Sequence, residues 1–331
     1  MHNAAAAMKP NLLLSSAVTA LFFACTTPET TQPQKAAAPA EAPAPPPALP
    51  PPAPPPPKDP LAGADADMKA VLDQLAALGG QPIETLSAEE ARKQPTPADA
   101  VKALLTQQNK PTDPEPVAKV EERKIKGPGG DLPVRIYWPS KGKAPYPVVL
   151  YFHGGGFVIA TNDTYDATPR ALANGVGAVV ISPEYRKAPE NKFPAAHDDA
   201  LAAYTWLLKN AASIKGDAKR IVFAGESAGG NLAAATAIAA RDAKMALPKH
   251  LLLVYPIASG KTDSPSYQKH ADAKPLNKAM MSWFSEKYFR TTADGMDPRI
   301  NLVGAKLEGL PPTTIINAEI DPLESDGKML G

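Results

Sequence analysis

The sequence predicts an α/β fold with a mostly parallel central sheet and helices on both faces. Three observations predict it. From residue 147 onward, short apolar runs alternate with helical patterns. Those runs are nearly continuous in Val, Ile, Leu and Phe, as strands buried on both faces are. Finally, Phe223-Ala224-Gly225-Glu226-Ser227-Ala228-Gly229-Gly230 places a G-x-S-x-G pattern between an apolar run and an alanine-rich helix. That strand–turn–helix setting is the one in which the pattern has chemical meaning.

The elements follow in sequence order. Met68, Val71, Leu72, Leu75 and Leu78 recur at helical spacing, and Gly79-Gly80 ends that helix. A second helix is expected over Pro97–Gln107. Runs at 117–125 and 132–138, joined by Gly127-Pro128-Gly129-Gly130, read as a hairpin. Strands are then expected at 147–152, 178–182, 220–224, 251–255 and 313–318. Helices are expected at 164–174, 195–209 and 231–241, and within a polar insertion at 278–289. Residues 324–331 read as the first turns of one more helix.

The N-terminal 60 residues stand outside this pattern. Lys9, a short apolar stretch and a small residue before Cys25 read as a bacterial signal peptide over 1–25, too short to span a bilayer permanently. Cys25 resembles the lipidation site of a bacterial lipoprotein, although Phe23 stands where such boxes usually carry a small residue. Residues 26–60 are rich in Pro and Ala and have nothing to bury, so they read as a disordered linker. A linker after a lipidated cysteine would act as a tether. The protein is expected in the cell envelope as a lipoprotein, or exported to the periplasm or medium. The folded domain is expected over 61–331.

Composition excludes several functions. The 331 residues carry 35 basic and 34 acidic side chains, a net charge of +1, with no basic cluster for a nucleic acid. The single cysteine excludes an intrachain disulfide and a cysteine-based metal site. The five histidines, His2, His153, His197, His250 and His270, show no metal-ligand spacing. No metal or organic cofactor is expected.

The chemistry is expected at three places. Ser227, lifted off a tight turn at a helix N-terminus, reads as a nucleophile; side chains larger than glycine at Gly225 and Gly229 would clash there. The loop Tyr151-Phe152-His153-Gly154-Gly155-Gly156-Phe157 follows the first parallel strand. Its bare N–H groups at Gly154, Gly155 and Gly156, with that of Ala228, could hold an oxyanion, and His153 would anchor the loop. Asp321, just past the strand at 313–318, is the expected acid, with Glu319 its competitor.

Together these residues resemble the hormone-sensitive-lipase-like esterases, the bacterial family IV branch of the α/β-hydrolases. The resemblance runs from about Asp67 onward. It includes Glu184-Tyr185-Arg186-Lys187-Ala188-Pro189-Glu190, Phe193-Pro194-Ala195-Ala196 and Asp321-Pro322-Leu323, with Lys187 where the family more often has leucine. It implies an α/β-hydrolase fold with a cap from residues 61–110 and part of 257–300, roofing an acyl pocket. It implies a small-molecule ester substrate, with short acyl or aryl groups. The block from Tyr185 to Glu190 is expected to brace the sheet under the site.

The family's histidine lies on a loop beyond the aspartate, after one more strand. No histidine follows Asp321 here. The last strand and its histidine loop are therefore expected to be missing, with the domain truncated at its C-terminus and the esterase impaired. The strand at 313–318 would then be an exposed edge, prone to association. Two alternatives stay open: a receptor-like homologue that binds a small molecule without turning it over, and a deacetylase or amidase using the same residues.

Overall fold

The computed structural model describes residues 59–331. The signal peptide, Cys25 and nearly all of the linker lie outside the described residues. The described part begins with helices α1 (Ala66–Ala77), α2 (Ala88–Ala91) and α3 (Pro97–Gln107). Asp65 caps α1, accepting from the Met68 N–H, and Ser87 and Thr96 each form a capping box with Glu90 and Asp99. The hairpin β1 (Lys119–Gly127) and β2 (Gly130–Trp138) follows. Then come β3 (Tyr146–Phe152), α4 (Ala167–Val176), β4 (Val179–Pro183), α5 (Ala195–Asn210), β5 (Gly216–Glu226), α6 (Ala228–Asp242) and β6 (Leu251–Val254). An insertion carries α7 (Pro265–Lys269) and α8 (Lys278–Tyr288). Strand β7 (Thr313–Ile316) and helix α9 (Glu324–Leu330) come last.

The seven strands form one sheet in the order β1-β2-β4-β3-β5-β6-β7. The hairpin adds its two strands antiparallel, and β4, β3, β5, β6 and β7 run parallel. Alternate residues of each central strand feed two cores. Val148, Leu150 and Phe152 of β3 join one cluster with Ile221 and Phe223 of β5 and the buried faces of α5 and α6. Val149 and Tyr151 face the other side, with Val180, Ala224 and Ala173 of α4. This two-sided burial is why the strands read as unbroken apolar runs rather than as alternating ones.

The cover is uneven. Helix α4 packs on β2, β3 and β4. On that same face Val222, Leu252 and Val254 are only half-buried, and Ile316 is 50 % exposed. Strand β7 pairs only with β6 among the described residues, and its threonines are exposed.

The expected elements are present, with ends shifted by a few residues. The strand expected from 220 starts at Gly216, and the helix expected from 231 starts at Ala228. Glycines at 229 and 230 hid its first turn, because they lower helix propensity while being required by packing. The short α2 and α7 went unread because four or five residues carry too little periodicity.

Candidate active site

The site residues gather at the C-terminal ends of the parallel strands. There β3 gives way to the loop from His153 to Phe157, β5 to Ser227, and β6 to the loop from Tyr255 to Ser259. Asp321 follows β7. Ser227 has φ 55° and ψ −117°, between the last residue of β5 and the first of α6. A non-glycine residue held at positive φ costs about 1–3 kcal/mol and persists only where its surroundings enforce it. The enforcement is visible. The Ser227 N–H donates to the Val254 carbonyl (2.9 Å), and the Ser227 carbonyl accepts from Asn231 (3.1 Å) and Ile257 (3.2 Å). The neighbouring glycines are obligatory, since a Cβ at Gly225 would overlap the Gly229 carbonyl, and one at Gly229 the Phe152 carbonyl.

Ala228 opens α6, so its N–H belongs to the first turn, where no intrahelical acceptor exists and the helix dipole favours negative charge. In the loop after β3, the Gly155 carbonyl accepts from Val158 (3.0 Å) and Ile159 (2.9 Å), which folds the loop tightly. The N–H groups of Gly155 and Gly156 have no backbone acceptor among the described residues. Both residues have positive φ, 106° and 59°. Gly154 lies against Tyr165, whose phenol oxygen would stand 2.5 Å from an added Cβ. The ring of Phe284 on α8 packs so closely on Gly156 that any side chain there would overlap it.

His153 is fully buried beneath this loop, stacked on Tyr185 (centroids 4.4 Å apart). Its Nδ1 lies 2.7 Å from the Gly154 carbonyl, and Tyr185 Oη donates to the His153 carbonyl (2.9 Å). Burial pulls its pKa down to about 4, so it is a neutral anchor. The segment after β4 supplies further bracing. Arg186 forms several hydrogen bonds to the Asp199 carboxylate of α5, and Glu190 pairs with Arg92 at the end of α2 (2.8 Å). Lys187 ion-pairs with Glu184. Arg92 also donates to the carbonyls of Val158 (2.9 Å) and Ala188 (2.6 Å), tying the N-terminal helices to the glycine loop.

Asp321 sits in the turn after β7, where its Oδ1 accepts the Leu323 N–H (2.7 Å). Burial raises its pKa. Burial first, and to a lesser degree the Asp321 charge, raises the phenols of Tyr255 and Tyr267. Glu319, the competing acid, is exposed. Two further histidines are engaged elsewhere. His197 Nδ1 faces Tyr288 Oη (2.9 Å), and its Nε2 faces Asn231 Oδ1 (2.9 Å) and the Arg299 carbonyl (3.2 Å). Burial lowers its pKa to about 4. His250 Nε2 faces Thr314 Oγ1 (2.9 Å).

Sequence reasoning missed two groups. Glu226 precedes Ser227, and its carboxylate accepts from Tyr151 Oη (2.6 Å) and Tyr255 Oη (3.1 Å), fastening the ends of β3, β5 and β6. Asp326 is fully buried, and its Oδ2 accepts the N–H groups of Ala258 (2.9 Å) and Ser259 (2.8 Å). Burial raises its pKa to about 7. A cleft is lined by Gly156, Ile257, Ser259, Tyr267, Met281, Phe284 and Ile300, among others. Helix α8 forms one wall, and Trp283 Nε1 ties that helix to the Leu86 carbonyl (3.0 Å). Among the described residues, no group of histidine, cysteine and acidic side chains could hold a metal ion.

A sheet of this order, with a glycine loop after β3 and a strained serine turn between β5 and α6, defines an α/β-hydrolase. The family profile described as alpha/beta hydrolase fold matches residues 149–331. The protein belongs to the hormone-sensitive-lipase-like esterases of that superfamily, enzymes of the carboxylesterase class. It is 40 % identical over 240 residues to the carboxylesterase NlhH of Mycobacterium tuberculosis, covering 70 % of this sequence and 75 % of the relative. It is 34 % identical over 251 residues to an ethyl acetate hydrolase of Pseudomonas putida, covering 74 % and 76 %. A hyperthermophilic esterase from the archaeon Pyrobaculum calidifontis superposes with a TM-score of 0.72 at 37 % identity, covering 80 % of this protein and 83 % of that one.

Proposed function

We propose that this enzyme hydrolyses carboxylic esters with short acyl or aryl groups, using Ser227 as the nucleophile. The observation that carries the proposal is the enforced positive φ of Ser227 at the N-terminus of α6, together with N–H groups at Gly155 and Gly156 that have no backbone acceptor among the described residues. Ser227 Oγ attacks the ester carbonyl. The developing oxyanion is held by the N–H groups of the Gly154–Gly156 loop and Ala228, which need no reorganisation as charge appears. The Ser227 proton has to pass through a base to the leaving alcohol, and water then releases the acid by the same route. In this reading Asp321 orients an imidazole as that base. The names of the relatives, a carboxylesterase and an ethyl acetate hydrolase, agree with this substrate class.

No histidine follows Asp321 in the 331 residues, and His153, His197 and His250 are committed to other partners. A polypeptide of these residues alone therefore turns esters over slowly. In a serine protease, losing the base costs about 10⁶ in turnover and leaves about 10³ over water. The test is hydrolysis of p-nitrophenyl acetate and butanoate, with fluorophosphonate labelling of Ser227. We expect weak turnover and slow labelling, both abolished in Ser227→Ala. An ordinary esterase turnover of about 10 s⁻¹ by this polypeptide would sink the impairment, and activity surviving Ser227→Ala would sink the nucleophile. The same committed histidines favour a second reading, a small-molecule receptor. Tight binding of an ester without cleavage or labelling would select it. Cleavage of anilides as fast as matched esters would select deacetylase or amidase chemistry instead.

The envelope location belongs to the same proposal. Residues 1–25 direct export, and lipidation at Cys25 anchors the enzyme through the Pro/Ala segment. Labelling of the wild type but not of Cys25→Ser by a radioactive fatty acid checks the anchor.

A further inference from the structure

The cleft beside the glycine loop is mostly apolar, with a few hydroxyl-bearing side chains in its wall. Ile257, Met281, Phe284 and Ile300 are among its apolar lining, and Ser259, Thr262, Ser285, Tyr288 and Tyr267 carry its hydroxyls. It begins at Gly156, and the N–H of its wall residue Ile257 binds the Ser227 carbonyl, so it adjoins the serine turn. Tyr267 is fully buried, yet its hydroxyl has no hydrogen-bond partner among the described residues. Buried phenol hydroxyls are nearly always paired, so an orphan in a cleft wall calls for an explanation.

The position of Tyr267 is strongly specified. The neighbouring Ser266 Oγ donates to the Pro322 carbonyl (2.5 Å) and accepts from the Ser325 N–H (3.1 Å). Those bonds fasten α7 to the segment that carries Asp321. Burial, with Asp326 and Asp321 nearby, raises the phenol pKa well above its usual value, so the hydroxyl keeps its proton. Asp326 in turn fixes the N–H groups of Ala258 and Ser259 on the adjoining wall. The result is a neutral donor, rigidly held, on a mostly apolar wall. Such a wall discriminates between an acyl group with an oxygen in it and the isosteric hydrocarbon, because only the first pairs the hydroxyl.

We propose that Tyr267 is a specificity-determining residue whose hydroxyl donates a hydrogen bond to an oxygen on the substrate's acyl group. The enzyme then prefers short alkoxy-, hydroxy- or oxo-acyl esters to plain alkyl ones. This rests on the ester-hydrolase reading for the identity of the bound group, but its test needs no turnover. Heptan-4-one and 1-methoxypentan-2-one are isosteric ketones, one methylene being replaced by oxygen, and neither can be hydrolysed. Their dissociation constants are measured by NMR titration of the wild type, Tyr267→Phe and Met281→Trp.

The wild type should bind the methoxy ketone roughly three- to ten-fold more tightly, the range of one net hydrogen bond. Tyr267→Phe should erase that preference and leave heptan-4-one within about two-fold, since it removes no apolar contact. Met281→Trp, which adds bulk to the apolar lining, should weaken both ligands together and so place them in the cleft. No preference in the wild type, an equal effect of Tyr267→Phe on both ketones, or its having no effect, as when a trapped water satisfies the hydroxyl, overturns the proposal. So does binding that survives Met281→Trp. The preference appearing in a protein that cleaves no ester overturns the hydrolase reading and leaves this one standing.

Discussion

Glu226 shows how one side chain secures a nucleophile turn without touching the substrate. It follows Gly225 at the end of β5, and it collects hydroxyls from the strands on either side. Burial, then the Glu226 charge, raises the Tyr151 and Tyr255 phenols, so both act as donors. Glu226→Ala removes the acceptor for two largely buried hydroxyls. We expect a loss of about 2–4 kcal/mol in unfolding free energy, since each unpaired buried group costs about 1–3 kcal/mol. Glu226→Gln keeps an acceptor oxygen and should recover at least half of that. Chemical denaturation of the three proteins checks it; equal stabilities of the Ala and Gln variants would refute the hydrogen-bond account.

At the scale of elements, the turn between β5 and α6 works because α6 can press against the sheet. Its alanines and glycines let the backbone of Gly229 reach the carbonyls of Phe152 and His153, and Gly230 reach Pro256. Gly229→Ala drives a methyl into the Phe152 carbonyl. It should cost more than about 3 kcal/mol, the scale of severe core mutations, and yield little soluble protein. A variant as stable as the wild type would contradict the packing. The opposite situation holds at β7, which pairs on one side and leaves Ile316 half exposed, next to half-buried Val254 and Leu252. An apolar strand edge templates pairing with a second molecule. The 331-residue polypeptide should therefore self-associate, and Ile316→Lys should shift it toward monomer in sedimentation. A wild type that is monomeric at high concentration would argue against this.

The molecule as a whole carries buried titratable groups that oppose one another. His153 and His197 have folded pKa values of about 4, below the unfolded value of about 6.5. The unfolded state binds their protons first, so they withdraw stability as pH falls from about 6.5 to 4. Asp326 has a folded pKa of about 7, above its unfolded value of about 3.9. The native state holds that proton more tightly, so its contribution is full below about pH 4 and is lost as pH rises toward 7. Asp326→Asn keeps an acceptor for Ala258 and Ser259 and stays neutral. It should raise the melting temperature at about pH 8 relative to wild type and have little effect at about pH 4. An unchanged difference across that range would show that Asp326 does not titrate in the fold.

The amino-acid pattern by itself determined the sheet, its helices and the serine turn. Apolar runs of strand length and a helix of small residues admit few other packings, and Gly225 and Gly229 mark where backbones must touch. It also located Ser227, the glycine loop and Asp321, because each lies just past the end of a strand whose position is readable. Tertiary structure alone decided what those strand ends hold between them. Glu226 finds its tyrosines 75 and 29 residues away, and Asp326 reaches back 68 residues to Ala258. The hydroxyl of Tyr267 becomes an orphan only once α7 is fastened to the segment after β7. Hydrogen bonds and desolvation depend on which groups meet in space, and no local periodicity records such meetings.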